Sequence, residues 1–199
     1  MAIRYDNRVA IVTGAGAGLG EQHAKMLASR GAKVVVNDPG GAVDGTGGAN
    51  SAADRVVAEI KAAGGEAVAS YASVAEYAAA ESIIKTAMDT WGRLDILVNN
   101  AGILRDKSFN KMSMEDFEFV MQVHLMGTVY CTKAAWQIMR DAKYGRIVVT
   151  TSGSGTVGIA AEFCCRDRAR GRSRLSPEWH QPQAARDARR RGPAGSLAR

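Results

Sequence analysis

Short apolar runs alternate with segments of helical periodicity from the N-terminus to about residue 155. Arg8-Val-Ala-Ile-Val-Thr13 is an unbroken apolar run that ends in glycines, the pattern of a parallel strand covered on both faces. Leu19 to Arg30 follows as a helix, with Leu19, His23, Met26, Leu27 and Arg30 at helical spacing and Gly31 placed to close it. Lys33 to Asn37 reads as a second strand. After the glycine-rich stretch Pro39 to Gly48, a helix is predicted from about Ser51 to Ala63, closed by Gly64 and Gly65. Glu66 to Ser70 is a third strand, Glu76 to Trp91 a helix ended by Gly92, and Leu94 to Asn99 a fourth strand. Ser113 followed by Asp116 resembles a capping box and opens a long helix to about Ala142, with Met114, Phe117, Met121, His124 and Leu125 on one face. Ile147 to Thr151 is the fifth strand. Strands that alternate with helices in this way predict an α/β fold: a doubly wound parallel sheet ordered 3-2-1-4-5.

Composition divides the chain. Residues 1–158 hold 16 basic and 16 acidic residues and are neutral, whereas 159–199 hold ten arginines, no lysine and four acids, and so carry the whole formal charge of +6. The expected organisation is therefore a neutral domain over 1–158 and a separate arginine-rich tail over 159–199. Two readings of the tail stand side by side: a disordered basic arm, or an out-of-frame translation of GC-rich DNA. As a basic arm, Arg166 to Arg174 and Arg189 to Arg191 could hold phosphate backbones, although only Phe163 and Trp179 lie nearby to stack on bases. A nucleic-acid partner is therefore not the expectation. Cys131, Cys164 and Cys165 show no disulfide or zinc spacing, and no metal site is expected. No run reaches the roughly 18 apolar residues of a spanning helix, which suggests a cytoplasmic protein without a membrane partner.

Thr13-Gly-Ala-Gly-Ala-Gly-Leu-Gly20 sits between a predicted strand and a predicted helix, where a phosphate-binding turn belongs. Gly14 can adopt the angles of the turn, Gly18 lets the main chain approach a pyrophosphate, and Gly20 permits close packing of helix on strand. The helix that follows would offer unpaired N–H groups and partial positive charge to the anion. Asp38, at the end of the second strand, could accept both hydroxyls of an adenosine ribose and would repel a 2′-phosphate, so NAD is favoured over NADP. The plain alternatives are a glycine loop without a ligand and a turn aspartate in Asn37-Asp-Pro-Gly-Gly41.

The spacing Thr-Gly-x-x-x-Gly-x-Gly, together with Asn99-Asn-Ala-Gly102 after the fourth strand, resembles the short-chain dehydrogenase/reductase family. Val34-Val-Val-Asn-Asp-Pro-Gly-Gly41, Gly102-Ile-Leu-Arg-Asp106, Val123-His-Leu125 and Lys143-Tyr-Gly-Arg-Ile147 are similar to its (3R)-hydroxyacyl-CoA dehydrogenase branch. The resemblance covers residues 4 to about 155. It implies a Rossmann-like fold, cut short after about the fifth strand, and an NAD-dependent oxidoreductase interconverting a hydroxyl and a ketone, with an acyl-CoA as the small-molecule partner. It also implies a homodimer, much of whose interface would follow residue 158. By this resemblance Thr13, Gly14, Gly18, Leu19, Gly20 and Asp38 serve the pyrophosphate and adenosine. Ser73 and Val74 line the adenine pocket, though Ala72 stands where the family has an aspartate. Asn100, with Ala101 and Gly102, lies against the nicotinamide ribose. Ser152 matches the catalytic serine that bonds the substrate oxygen.

The family pairs that serine with a tyrosine that moves the substrate proton, and with a lysine four residues on that lowers the tyrosine's pKa. Family spacing puts them at 165 and 169, where this chain has Cys165 and Ala169; no tyrosine follows Tyr144 and no lysine follows Lys143. His124 takes the place of the family's helix asparagine, as in the hydroxyacyl-CoA branch. The expected outcomes are an enzyme of this family impaired in turnover, or a nucleotide-binding remnant without catalysis. His23 and the methionines at 112, 114, 121, 126 and 139 read as packing residues, against the core or a partner subunit, and Cys131 as a small buried hydrophobe.

Overall fold

The computed structural model describes residues 3–42, 44–46 and 51–152. Expectations about the tail, Cys164, Cys165 and Ala169 lie outside the described residues.

Five parallel strands form one sheet: β1 (Val9–Thr13), β2 (Lys33–Asn37), β3 (Glu66–Ser70), β4 (Ile96–Asn99) and β5 (Arg146–Val149), in the order β3-β2-β1-β4-β5. Ile11 pairs with Val35 on one side and Leu97 on the other, so the apolar runs stack in register across the centre. Their alternating side chains feed two cores. Ala10, Val12, Val34 and Val36 meet the face covered by α1 (Gly18–Ser29) and α2 (Ser51–Ala62). Val9, Ile11, Val35 and Leu97 meet α3 (Tyr77–Trp91) and α5 (Gly127–Asp141). All five β1 residues are buried, which explains why its sequence shows no polar alternation.

Two helices differ from expectation in an instructive way. α1 buries Gly20, Ala24, Leu27 and Ala28, while Leu19 and Met26 of the predicted stripe are 66% and 39% exposed. Small residues let the helix press close to the sheet, so the larger apolar side chains beside them stay outside. The long helix starts where expected, with Ser113 Oγ accepting from Asp116 N–H. It is not one regular helix, however. α4 (Met114–Met121) passes into a π-helical stretch over Gln122–Met126 and then into α5. Its inward face carries Val123, Gly127, Cys131, Ala135 and Met139. Of the predicted face, Met114, Phe117, Met121 and Leu125 are exposed, Met114 at 63% and Leu125 at 50%, whereas the His124 ring lies against Ile103 and Gly102. Of the five methionines read as packing, only Met139 is buried. Cys131 is fully buried, and burial pushes its thiol up to about 11.

Among the described residues β5 pairs with β4 alone, and Val148 and Val149 are each 51% exposed. No described helix is long and apolar enough to cross a membrane.

Candidate functional site

The carboxyl end of β1 turns through Gly14 and Gly18, at φ +62° and +58°, into α1. Left-handed angles of this kind favour glycine. A Cβ on Gly14 would lie 2.8 Å from Ala101 Cα, and one on Gly20 would lie 2.1 Å from the Gly14 carbonyl oxygen. The turn, the first turn of α1 and the end of β4 therefore touch with no room for a methyl group. Ala17 precedes α1 without a capping side chain, which leaves the first N–H groups available to an anion.

A cavity of about 430 Å³ opens at this end of the sheet. Gly14, Ala17 and Gly18 line it together with Asp38, Ser73, Val74 and the segment Asn100 to Gly102. Of the residues predicted for the cofactor, eight thus come together. Thr13, Leu19 and Gly20 do not line it. Thr13 is buried, and its Oγ1 accepts from Asn100 N–H at 3.0 Å and Ala101 N–H at 3.1 Å while donating to the Val98 carbonyl at 3.3 Å. It fastens the end of β4 beside β1. Leu19 projects outward, and Gly20 is the packing contact just described.

Asp38 Oδ2 accepts from Gly16 N–H at 2.8 Å and Oδ1 from Gly40 N–H at 2.7 Å, so the carboxylate is held rigidly at the cavity wall with lone pairs to spare. Asn100 spends its amide on structure. Nδ2 donates to the carbonyls of Thr13 and Gly14 at 3.0 and 3.1 Å, and Oδ1 accepts from Thr150 at 3.2 Å. What it presents to the cavity is therefore a fixed edge rather than a free donor. Asn37 donates to the Ala72 carbonyl at 2.9 Å, while its buried Oδ1 has no hydrogen-bond partner among the described residues. Ser152 lies beyond β5 at the same end of the sheet and is exposed.

Several cavity residues escaped the sequence reading. Ile103, Phe119 and Val123 give it an apolar end, and Gly41, Ala42 and Gly45 cover it from the loop after β2. His124 Nε2 lies 3.0 Å from Ile103 N and 2.9 Å from its carbonyl oxygen, and Gly102 has no Cβ because one would meet the imidazole at 2.5 Å. Among the described residues no cluster suits a metal ion.

A second unforeseen element braces the turn from α2. Arg55 donates to the Gly16 carbonyl at 2.9 Å and to Glu21 at 2.7 Å. Arg55 and then Lys25 hold the Glu21 carboxyl down to about 2 from an ordinary 4.5. A carboxylate whose folded pKa is depressed stabilises the fold above its unfolded value, and that contribution fades as pH falls through the folded value. Glu21→Gln is therefore expected to lower the unfolding midpoint at pH 6, with the gap to the parent chain closing between about pH 4.5 and 2. Thermal unfolding of both chains across that window checks it, and a constant gap would contradict the bracing role.

Residues 8–164 match the family described as short chain dehydrogenase. The chain is 54% identical over 156 residues to the mouse peroxisomal multifunctional enzyme type 2, covering 78% of this chain and 21% of that one. It is 55% identical over 152 residues to a short-chain type dehydrogenase/reductase of Mycobacterium tuberculosis, covering 76% and 53%. The solved structure of a 7α-hydroxysteroid dehydrogenase complexed with NADH and 7-oxo glycochenodeoxycholic acid superposes with a TM-score of 0.70 at 33% identity, over 77% of this chain and 56% of that one. The chain thus spans about a fifth of the mouse enzyme and about half of the other two. The parallel sheet, the glycine turn and the match over most of the length place this chain in the short chain dehydrogenase family.

Proposed function

We propose that residues 1–158 form an NAD-binding domain that retains the nucleotide half of a (3R)-hydroxyacyl-CoA dehydrogenase and has lost the proton relay needed for turnover. The observation that carries the cofactor reading is Asp38, a carboxylate fixed by two backbone N–H groups beside the turn at Gly14 to Gly18. The features that support a dinucleotide are a glycine-rich turn with small side chains and an uncapped helix start for the pyrophosphate, Asp38 for ribose hydroxyls, Ser73 and Val74 for the adenine, and the edge from Asn100 to Gly102 for the nicotinamide ribose. Bound there, NAD would supply the hydride acceptor.

The chain's own residues account for holding and orienting. The unpaired first N–H groups of α1 neutralise the anion, and Asp38 selects against a phosphate on the adenosine ribose by charge. Ser152 would donate a hydrogen bond to the substrate oxygen. Nothing after it can take the proton as a tyrosine paired with lysine would, because positions 165 and 169 are Cys165 and Ala169. The acyl-CoA reading is supported by the similarity to the mouse peroxisomal enzyme. The arginine-rich 159–199 segment is proposed to be separate from this domain. A second reading, a nucleotide binder without catalysis, is favoured by the same two absences.

Asp38→Asn tests the cofactor assignment while keeping the side chain's shape. NAD should bind about 10-fold more weakly, as expected for losing a charge-assisted hydrogen bond of about 1.5 kcal/mol, and NADP should gain. Titrations of both nucleotides into parent and variant would read this. An unchanged ratio of NAD to NADP affinity would remove Asp38 from the role.

A further inference from the structure

The loop that covers the cavity has a clasp. Ala42 and the segment Asp44 to Thr46 are tied together, with Ala42 N–H donating to the Thr46 carbonyl at 2.7 Å and Asp44 Oδ1 accepting from Thr46 N–H and Oγ1 at 2.9 and 2.7 Å. The turn does not hold itself against the cavity. Arg105, in the segment after β4, donates from Nε to the Asp44 carbonyl at 3.1 Å and from Nη1 to Asp116 Oδ1 at 2.7 Å. Lys107 takes the other Asp116 oxygen. The Asp116 side chain is only 12% exposed and that of Arg105 23%, so this is a part-buried anchor, not a surface pair. Lys107 and Arg105 together hold the Asp116 carboxyl below its ordinary range.

A second contact fixes the same turn. Gly45, at φ +83°, rests on Phe119 so closely that a Cβ would lie 2.8 Å from the ring, and the Arg105 guanidinium lies over that ring at 4.6 Å from its centre. Both Gly45 and Phe119 line the nucleotide cavity, across from Gly14 and Gly18. One guanidinium therefore joins the covering turn, α4 and an aromatic wall of the site. A planar fork can serve two acceptors and a ring face together, which a lysine cannot.

We propose that Arg105 is a positioning residue for the nucleotide: anchored on Asp116, it holds the Asp44 to Thr46 segment beside the groove through the Asp44 carbonyl and slows escape of the bound dinucleotide. This rests on the reading of the cavity as an NAD site. Lysine at 105 keeps the charge pair with Asp116 but gives up the bond to the turn.

The experiment uses the full chain loaded with NADH, with release followed by stopped-flow fluorescence on adding excess NAD. Arg105→Lys should release NADH roughly 3- to 10-fold faster, the effect of one lost hydrogen bond. Its association rate and the unfolding midpoint of the unliganded chain should not change. Gly45→Ala, which disturbs the turn from the Phe119 side without touching Arg105, should also speed release. Release from Arg105→Lys at the parent rate overturns the clasp, and so does a lowered unfolding midpoint with Gly45→Ala releasing NADH at the parent rate. If the parent chain takes up no NADH, the cofactor reading falls, and the clasp is read separately by an endoprotease that cuts on the amino side of aspartate. Faster cleavage ahead of Asp44 in unliganded Arg105→Lys supports it, and equal cleavage overturns it.

Discussion

Mixed with NAD and a (3R)-hydroxyacyl-CoA, the purified chain is expected to form NADH at least about 10²–10⁴-fold more slowly than a relative with the intact tyrosine and lysine, the usual contribution of general acid–base catalysis. The reason is positional as well as compositional. The chain has five tyrosines, at 5, 71, 77, 130 and 144, and none lines the cavity. Tyr71 donates to Asp54 at 2.6 Å, and Tyr77 and Tyr130 pack edge to face between α3 and α5. Lys143 and Tyr144 come just before β5, whereas Ser152 comes after it. At about 3.3 Å per strand residue, the strand between them places the phenol on the order of 10 Å or more from the serine. Tyr144 is moreover covered by the guanidinium groups of Arg8 and Arg146, at 3.8 and 4.7 Å from its ring centre. Positions 165 and 169 carry cysteine and alanine, so neither a phenol nor an ammonium group is supplied there. NADH formed at the rate of an intact relative would show that another group carries the proton.

Gly20→Ala is expected to abolish measurable NAD binding and to lower the unfolding midpoint by roughly 5–10 °C. The added methyl would stand 2.1 Å from the Gly14 carbonyl oxygen and 2.5 Å from Asn100 Nδ2, two atoms that are hydrogen-bonded to each other. None of these groups is a flexible end that can swing aside, so the turn must move away from β4. Overpacking of this kind costs about 1–3 kcal/mol or more, and for a domain of this size each kcal/mol shifts the midpoint by about 2–4 °C. Gly18→Ala is the control. No atom lies within 4 Å of its added Cβ, and its φ of +58° alone carries about 1–2 kcal/mol. Calorimetric unfolding of the two variants separates crowding from backbone strain. Equal behaviour of both would mean that the contact at Gly20 does not shape the turn.

Much of this architecture was legible in the sequence because the physics there is local or periodic. An apolar run such as Val9–Thr13, short and bounded by glycines, fits a strand buried on both faces, while Gly14 and Gly18 supply the left-handed angles of the turn and Gly20 leaves no room for a side chain. What was misread involved competition between faces. In α1 the apolar stripe drawn through Leu19 and Met26 lost to Gly20, Ala24 and Ala28, because closeness to the sheet outweighed side-chain hydrophobicity. In the long helix, no residue pattern announced the π-helical stretch over Gln122–Met126, which sets His124 against Ile103 while Gly127 packs on Val74. Other features were illegible because they join distant parts of the chain. Arg55 reaching Gly16, Arg105 reaching Asp44, and Asn100 spending its amide on Thr13 and Gly14 all depend on contacts made only once the sheet has formed.

The claim on which the account rests is that this sheet, with its glycine turn and Asp38, holds NAD. Calorimetric titration of NAD into the full chain tests it most directly. Saturable uptake of one NAD per chain is the predicted result, and an isotherm without saturable heat from a folded chain would contradict it.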